Sequence, residues 1–259
     1  MNTNLQLVQP DFDMNRFQLF VIDCPYNSFS NPMTQNLFGK FISSKLDGFL
    51  AEYEHGILPL GAYDFVGTLI LLCEKQGENY EPVFCFKSTS QERSDYFGLP
   101  FELMGAFREG CDQTQKEAIV RILRTAKSKN INVGYNSSWT ILPKWRSDSA
   151  LRSFSKDLSC AVLASYYRGY NIEEVLIAGV VRFKVDKLQA FIGFEYISEN
   201  GKQIDPIGSS FLNDEQIQLM HLKQFTPEVL ALAEKYKSIW ENRVVIEDAA
   251  RAFTRKKAA

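Results

Sequence analysis

The sequence predicts a mixed α/β sheet protein, and three stretches carry that expectation. Residues 156–197 read as helix, buried strand and short helix closing on Ile192-Gly193-Phe194. Within it, Asp157 to Tyr170 places apolar residues at helical spacing and stops at Gly169, a helix-terminating residue. Val175-Leu-Ile-Ala-Gly-Val-Val is a continuous apolar run of strand length, suited to a strand covered on both faces. Upstream, Tyr63 to Glu74 and Glu81 to Lys87 are strand-like runs joined by the polar, glycine-containing Lys75-Gln-Gly-Glu-Asn-Tyr, which predicts a hairpin. Helix, antiparallel strands, then helix, strand, helix, strand composes a mixed sheet with helices packed on it.

The remaining elements follow in order. Residues 1–35 form a loop-rich N-terminal extension with one strand-like run, Phe17 to Ile22. Leu37 to Tyr53 is helical, with Leu37, Phe38, Phe41, Leu46, Phe49 and Leu50 mostly on one side. Gln113 to Lys129 is an amphipathic helix whose basic tail suits its own C-terminal dipole. Val133 to Leu142 is a candidate central strand, and residues 144–156 form a polar, basic lead into the next helix. Past a loop at Asp205-Pro-Ile-Gly-Ser-Ser, Asp214–Leu222 and Pro227–Trp240 are expected to be helical, and Arg251–Ala259 a frayed basic tail. The implied organisation is a principal domain over 36–212, with a helical C-terminal extension over 213–259 packed on it.

With 45% hydrophobic and 23% charged residues, the 259-residue chain can build a substantial core. A formal net charge of −2 gives no reason to expect nucleic acid. No apolar run is long enough to span a membrane, and the N-terminus lacks the basic start and apolar segment of a signal peptide, so a cytoplasmic protein is expected. The five cysteines at 24, 73, 85, 111 and 160 are scattered, and those at 73, 85 and 160 sit in apolar runs as buried thiols would. No metal-ligand spacing occurs, so no metal is expected. His55 and His221 lie far apart in polar surroundings and read as surface residues, and Glu92, Arg93 and Asp95 read as a solvated turn, with Glu92 within reach of Lys87.

Helix, glycine-hydrophobic turn, central strand, helix and Gly193-Phe194 resemble the C-terminal half of the GNAT superfamily of N-acyltransferases. The likeness is nearer to its acyl-homoserine lactone synthases and long-chain N-acyl amino acid synthases. Tyr63-Asp64-Phe65 before a strand resembles their aspartate-containing approach to the sheet, Lys87 sits where they place an arginine, and Trp139 resembles their strand tryptophan. The resemblance implies a GNAT-like, mainly antiparallel sheet flanked by helices, with extra C-terminal helices. It implies an acyl donor, acyl-CoA or acyl-phosphopantetheine on an acyl carrier protein, and a small amine acceptor such as an amino acid. Asp64 would orient the acceptor, Lys87 would bind its carboxylate or a donor phosphate, and Asp64 or Glu195 would stand in as base through water.

The sequence departs from that family at several positions. The usual pyrophosphate loop is rich in glycine, and its backbone amides open onto a helix N-terminus. Here Lys144-Trp-Arg-Ser-Asp-Ser-Ala-Leu-Arg-Ser-Phe-Ser-Lys156 holds no glycine. Lys144, Arg146, Arg152 and Lys156, with the hydroxyls of Ser153 and Ser155, are its candidate donor-binding groups, against the alternative of an exposed basic loop. Four residues before Gly193, where many GNAT enzymes place a tyrosine, stands Gln189; after Trp139, where the lactone synthases place an acid, stands Thr140. The aromatics at 84, 86, 97, 101 and 107 fit either an acyl channel or the core. These departures leave a second reading, a non-catalytic binding or regulatory module on the same fold, with the C-terminal helices as a docking surface.

Overall fold

The computed structural model of the chain describes residues 12–53, 60–108, 112–212 and 214–247. His55, Cys111 and the tail expected over 251–259 lie outside the described residues. Strand β1 (Phe17–Asp23) leads through a short helix α1 (Pro25–Ser28) into α2 (Pro32–Leu50). Asn31 caps α2 by accepting from the Met33 N–H, and Pro32 occupies a first-turn position whose N–H has no helical partner anyway. The buried stripe of α2 runs through Leu37, Phe41, Lys45 and Gly48, so that one lysine shares the face that packs on the sheet.

The stretch at Tyr63 forms helix α3 (Ala62–Val66) rather than extended chain, because the Asp64 carboxylate accepts from the Gly61 N–H at 3.0 Å and closes a turn. The expected hairpin then appears as β2 (Thr68–Gln76) and β3 (Asn79–Ser90), with Gln76 opposite Asn79 and Gly77 at φ 62° in the two-residue turn. Helix α4 (Gln91–Tyr96), capped by Ser90, is followed by a 3-10 turn over Glu102–Ala106, then α5 (Gln113–Ser128) and β4 (Val133–Ile141).

Helix α6 (Ser149–Gly169) begins inside the segment expected to be a basic lead-in. Asp148 starts it by accepting from the N–H groups of Ala150 and Leu151 at 2.8 and 2.9 Å. Strand β5 (Glu174–Val180), helix α7 (Val185–Ile192) and strand β6 (Phe194–Tyr196) follow, with Gly193 at φ 116° ending α7. Two short pieces, β7 (Ser198–Glu199) and β8 (Lys202–Gln203), pair with each other, and β9 (Ile207–Gly208) precedes β10 (Gln216–Leu222). The chain continues into α8 (Pro227–Lys235), α9 (Lys237–Glu241) and β11 (Val244–Ile246).

Gln216–Leu222 is therefore a strand, not the helix its apolar spacing suggested. It lies between β5 on one side and β6 and β9 on the other. Ladder pairing on both edges overrides a periodicity that seven residues leave ambiguous. The sheet order is β11-β1-β2-β3-β4-β5-β10-β6, with β9 beside β10. The β1/β11 and β4/β5 contacts are parallel and the others antiparallel, so the fold is a mixed, mainly antiparallel α/β sheet flanked by helices.

One face, with Leu19, Val21, Leu72, Phe84 and Phe86, packs on α6 and the C-terminal helices. On the other face Phe20, Leu69 and Leu71 meet α2, while Tyr135, Leu176 and Leu219 meet α5. Val229, Tyr236 and Ile239 are buried in the α6 cluster, so the C-terminal helices complete the core. Phe84 and Phe86 are core, and Phe101 packs with α5; neither the 84/86 pair nor Phe97, Phe101 or Phe107 is among the residues lining the main cleft. Cys24, Cys73, Cys85 and Cys160 are buried free thiols.

Candidate active site

The sheet opens between its two central parallel strands. β4 and β5 pair only from Val133 opposite Glu174 to Asn136 opposite Ile177, and beyond that point the ladder between them ends. A bulge on β4 accompanies the parting. Lys87 faces Ser137 and Cys85 faces Thr140, so three steps along β4 oppose two along β3, and Ser138 adopts φ 56°. A bulge bends its strand and leaves a residue outside the ladder. The opening holds a cavity of about 490 Å³. Consecutive residues of β4, Tyr135 to Ile141, line it together with Ile177 and Ala178 of β5. Side chains alternate between faces along a strand, so lining by neighbours means that the cavity passes through the plane of the sheet.

At one end lies a buried charge cluster. Asp64 is 1% exposed and Lys45 and Lys87 are each 3% exposed. Lys45 Nζ lies 3.2 Å from both Asp64 carboxylate oxygens, and Lys87 Nζ lies 3.0 Å from Asp64 Oδ1 and 2.9 Å from Glu102 Oε1. Ser137 donates to Glu102 Oε1 at 3.1 Å and Thr89 to Glu102 Oε2 at 2.9 Å. Burial favours a neutral Asp64, but Lys87, Lys45 and the Gly61 N–H outweigh it and hold the carboxyl below its usual range. Burial likewise works against a charged Lys87, yet its two carboxylates raise its pKa. For Lys45 burial prevails over Asp64, helped by repulsion from Lys87, and the ammonium is held less firmly than an ordinary lysine's.

The walls carry three buried polar atoms with no hydrogen-bond partner among the described residues: Asn136 Nδ2, Trp139 Nε1 and Gln189 Oε1. Gln189 comes from α7, and its amide lies over Gly179 of β5, where a Cβ would stand 2.5 Å from its Oε1. Buried polar groups are ordinarily satisfied, so orphaned ones facing a cavity suit a ligand with amide groups. Phe49, Tyr53, Ile177, Phe183 and Ile217 supply apolar wall, and burial pushes the Tyr53 phenol up to about 12.

The structure brings Asp64 and Lys87 together and adds Lys45, Glu102 and Ser137, which the sequence reading missed. Lys45 carried a signal, a lysine in the helical register of Leu37 and Phe41; Glu102, in a short turn, carried none. Lys87 meets Glu102 and Asp64, while Glu92 hydrogen-bonds Asn132 and Arg93 is buried on Asp23 at 2.6 Å. Glu195 is exposed on β6 opposite His221, away from the lining residues. His221 is itself largely buried, its Nε2 2.8 Å from Glu174, and burial lowers its pKa against the pull of that carboxylate.

Of the basic segment, Arg146 lines the cleft and pairs with Glu52. Lys144 pairs with Glu74 at 3.2 Å, Arg152 donates to the Arg146 carbonyl, and Lys156 lies over the Phe191 ring. Ser153 is half-buried on α6, and Ser155 donates inside the helix to the Leu151 carbonyl at 2.7 Å. The α6 N-terminus is already capped by Asp148. No group of three or more potential metal ligands occurs among the described residues, and no helix there is long and apolar enough to cross a membrane.

Fold and site together define a class: a mixed sheet parted between two parallel strands, with the candidate chemistry in the gap. No family model matches the chain, and no curated protein does. Solved structures do. The N-acyl amino acid synthase FeeM from uncultured soil microbes is similar at 11% identity and TM-score 0.40, over 86% of this chain and 98% of that one. The CoA-dependent acyl-homoserine lactone synthase BjaI, solved with SAM and isopentyl-CoA, is similar at 12% identity and TM-score 0.49, over 85% of this chain and 90% of that one. An agmatine N-acetyltransferase is similar at 11% identity and TM-score 0.44, over 81% of this chain and 100% of that one. Both branches named from the sequence are thus among the similar structures. At TM-scores below 0.5 these likenesses carry no weight in assigning function; the site must do so.

Proposed function

We propose that this chain is an N-acyltransferase that moves an acyl group, fatty in size, from acyl-CoA or an acyl carrier protein to a small amine such as an amino acid. The observation that carries the reading is the parting of β4 and β5 over a cavity that ends on buried charges. Strand edges with unpaired amides and carbonyls accept an extended ligand that can continue the hydrogen bonding. A phosphopantetheine arm is narrow, extended and amide-bearing, and the orphaned atoms of Asn136, Trp139 and Gln189 offer it donors and an acceptor. The apolar wall suits the acyl chain.

At the charged end, the carboxylates of Asp64 and Glu102 suit an ammonium acceptor, and Lys87 holds both in place. The acceptor nitrogen attacks the thioester carbonyl carbon, the C–N bond forms, and the C–S bond breaks with the thiolate leaving. Thioester aminolysis gains most from positioning and from donors to the developing oxyanion, a role open to backbone N–H groups released at the β4 bulge. Arg146 is the side chain of the basic segment that lines the cleft, which supports it as the group that meets the donor phosphate.

The test is native mass spectrometry and thermal shift against CoA, acetyl-CoA, longer acyl-CoA donors and an acyl carrier protein. A ligand that binds only the folded state raises Tm with concentration, by about 2.7 kcal/mol of stability at a hundred times its Kd. A rise that grows with acyl length, weakened by Arg146→Ala, is expected. No response to any donor would favour the non-catalytic module.

A further inference from the structure

Gln189 sits where a glutamine is costly. It is 1% exposed, it lines the cleft, and its Oε1 has no partner among the described residues. An amide oxygen left so in a dry wall destabilises the fold unless a ligand satisfies it. The surroundings nevertheless hold it in place. Gly193 ends α7 at φ 116° and its N–H bonds the Gln189 carbonyl at 3.1 Å. Gly179 of β5 leaves room for the side chain: a Cβ there would stand 2.5 Å from Oε1, 2.8 Å from Nε2 and 2.9 Å from Cδ. Any other residue at 179 would push the amide off the strand.

Gly179 lies on the edge of β5 that the parting sets free. Its opposite edge is taken by β10, where Gly179 pairs with Gln218, and toward β4 the last pair is Asn136 with Ile177. Across the gap, β4 contributes Trp139, whose Nε1 is likewise buried without a partner among the described residues. An indole nitrogen only donates, whereas the Gln189 Oε1 only accepts. A trans amide turns its C=O and its N–H to opposite sides. One lying between the two walls gives its carbonyl to Trp139 and its N–H to Gln189.

The strands also fix the level of that amide. Ser137, the residue after the last pair, bonds Glu102 at the charged end, and Gly179 lies one strand step of about 3.3 Å further out. A thioester whose carbonyl meets the acceptor at Ser137 therefore carries its sulfur side past Gly179. From this, and resting on the acyl-transfer reading above, we propose that Gln189 is a specificity-determining residue that reads the amide nearest the thioester sulfur. The chain then prefers thioesters of an N-acylated cysteamine, in which an ethylene separates sulfur from amide, over simple alkyl thioesters. Acyl-CoA and an acyl carrier protein share that arm. A donor without the N–H leaves Oε1 buried and unpaired in the complex, which is how a site built to bond an N–H rejects an analogue lacking it.

The test compares two donors that differ at one position: the octanoyl thioester of N-acetylcysteamine, and the same compound with an ester oxygen in place of the amide N–H. Thiol release with a panel of amino acids and simple amines gives kcat/KM for both, in the parent and in Gln189→Leu, and thermal shift reads the same preference as binding. The parent should favour the amide donor by about 10–100-fold, and Gln189→Leu should bring the two within about threefold, as expected where losing a hydrogen bond strands a buried partner. The variant should lose the same factor with octanoyl-CoA and with octanoyl carrier protein, and the faster of these identifies the source of the arm. Each preference is a ratio within one protein, so a variant that folds less well does not imitate its loss. A parent indifferent to the two donors, or a preference that survives in Gln189→Leu, overturns the role of Gln189 and leaves acyl transfer standing. If the parent neither binds nor turns over any of these donors, the acyl-transfer reading and this one fall together.

Discussion

Lys87 Nζ lies 3.0 Å from Asp64 Oδ1, and that contact ties β3 to α3 at the charged end of the parted sheet. The same ammonium also holds Glu102, so one buried cation organises two carboxylates from separate turns. Removing it takes the ammonium from Glu102 and leaves Asp64 to Lys45.

Lys87→Met should therefore lower stability by about 3–5 kcal/mol, the usual consequence of leaving a buried charge without its partner. Urea denaturation of parent and variant measures it. A loss below about 1 kcal/mol would mean that water reaches the carboxylates and that the cluster is not the rigid end of the cleft.

Asp64 gives the cluster a pH dependence with a definite sign. Its pKa is depressed in the folded chain from an ordinary value of 3.8, so its contribution is complete above about pH 4 and is lost as pH falls through the lower, folded value. Asp64→Asn should be less stable than the parent at pH 6, and the gap should shrink below pH 4. Denaturation curves at stepped pH decide this, and a gap that persists unchanged into strong acid would place the stabilisation elsewhere.

Gly48 of α2 packs on Thr140 of β4 so closely that a Cβ there would collide with the threonine methyl. Gly48→Ala should cost about 1–3 kcal/mol, as overpacking generally does, despite alanine's better helix propensity. Adding Thr140→Ala should recover most of the loss. The double-mutant cycle reads the coupling directly, and additive effects would show that helix and strand do not touch as described.

Gln189→Leu should move stability and ligand binding in opposite directions. Its Oε1 is buried with no partner among the described residues, so an apolar side chain of similar length should leave Tm unchanged or raise it. Donor binding should weaken if that oxygen meets an amide of the ligand. Thermal melts with and without a long-chain acyl-CoA separate the two effects; a simultaneous fall in both would make Gln189 a packing residue only.

Much of the fold was legible because local rules and tertiary context agree. The β2–β3 hairpin follows from two apolar runs around Gly77, β5 from its continuous apolar run, and the end of α7 from Gly193, whose φ of 116° suits glycine. Where local signal and context disagree, context prevailed. Gln216–Leu222 spaces its apolar residues ambiguously and became a strand because β5, β6 and β9 pair with both of its edges. Helix α6 starts at Ser149 because Asp148, an acid inside the polar and basic segment 144–156, caps it.

By itself the sequence determined the alternating elements and the buried thiols, because apolar periodicity and turn residues act over a few positions and leave a local record. The tertiary structure decided what meets what. Lys45, Asp64, Lys87 and Glu102 come from four separate elements, and their chain positions bear no trace of contacts near 3 Å. Only the folded sheet shows β4 leaving β5 after Asn136, because strand parting depends on a bulge and on the neighbours packed around it, not on the residues of one strand alone.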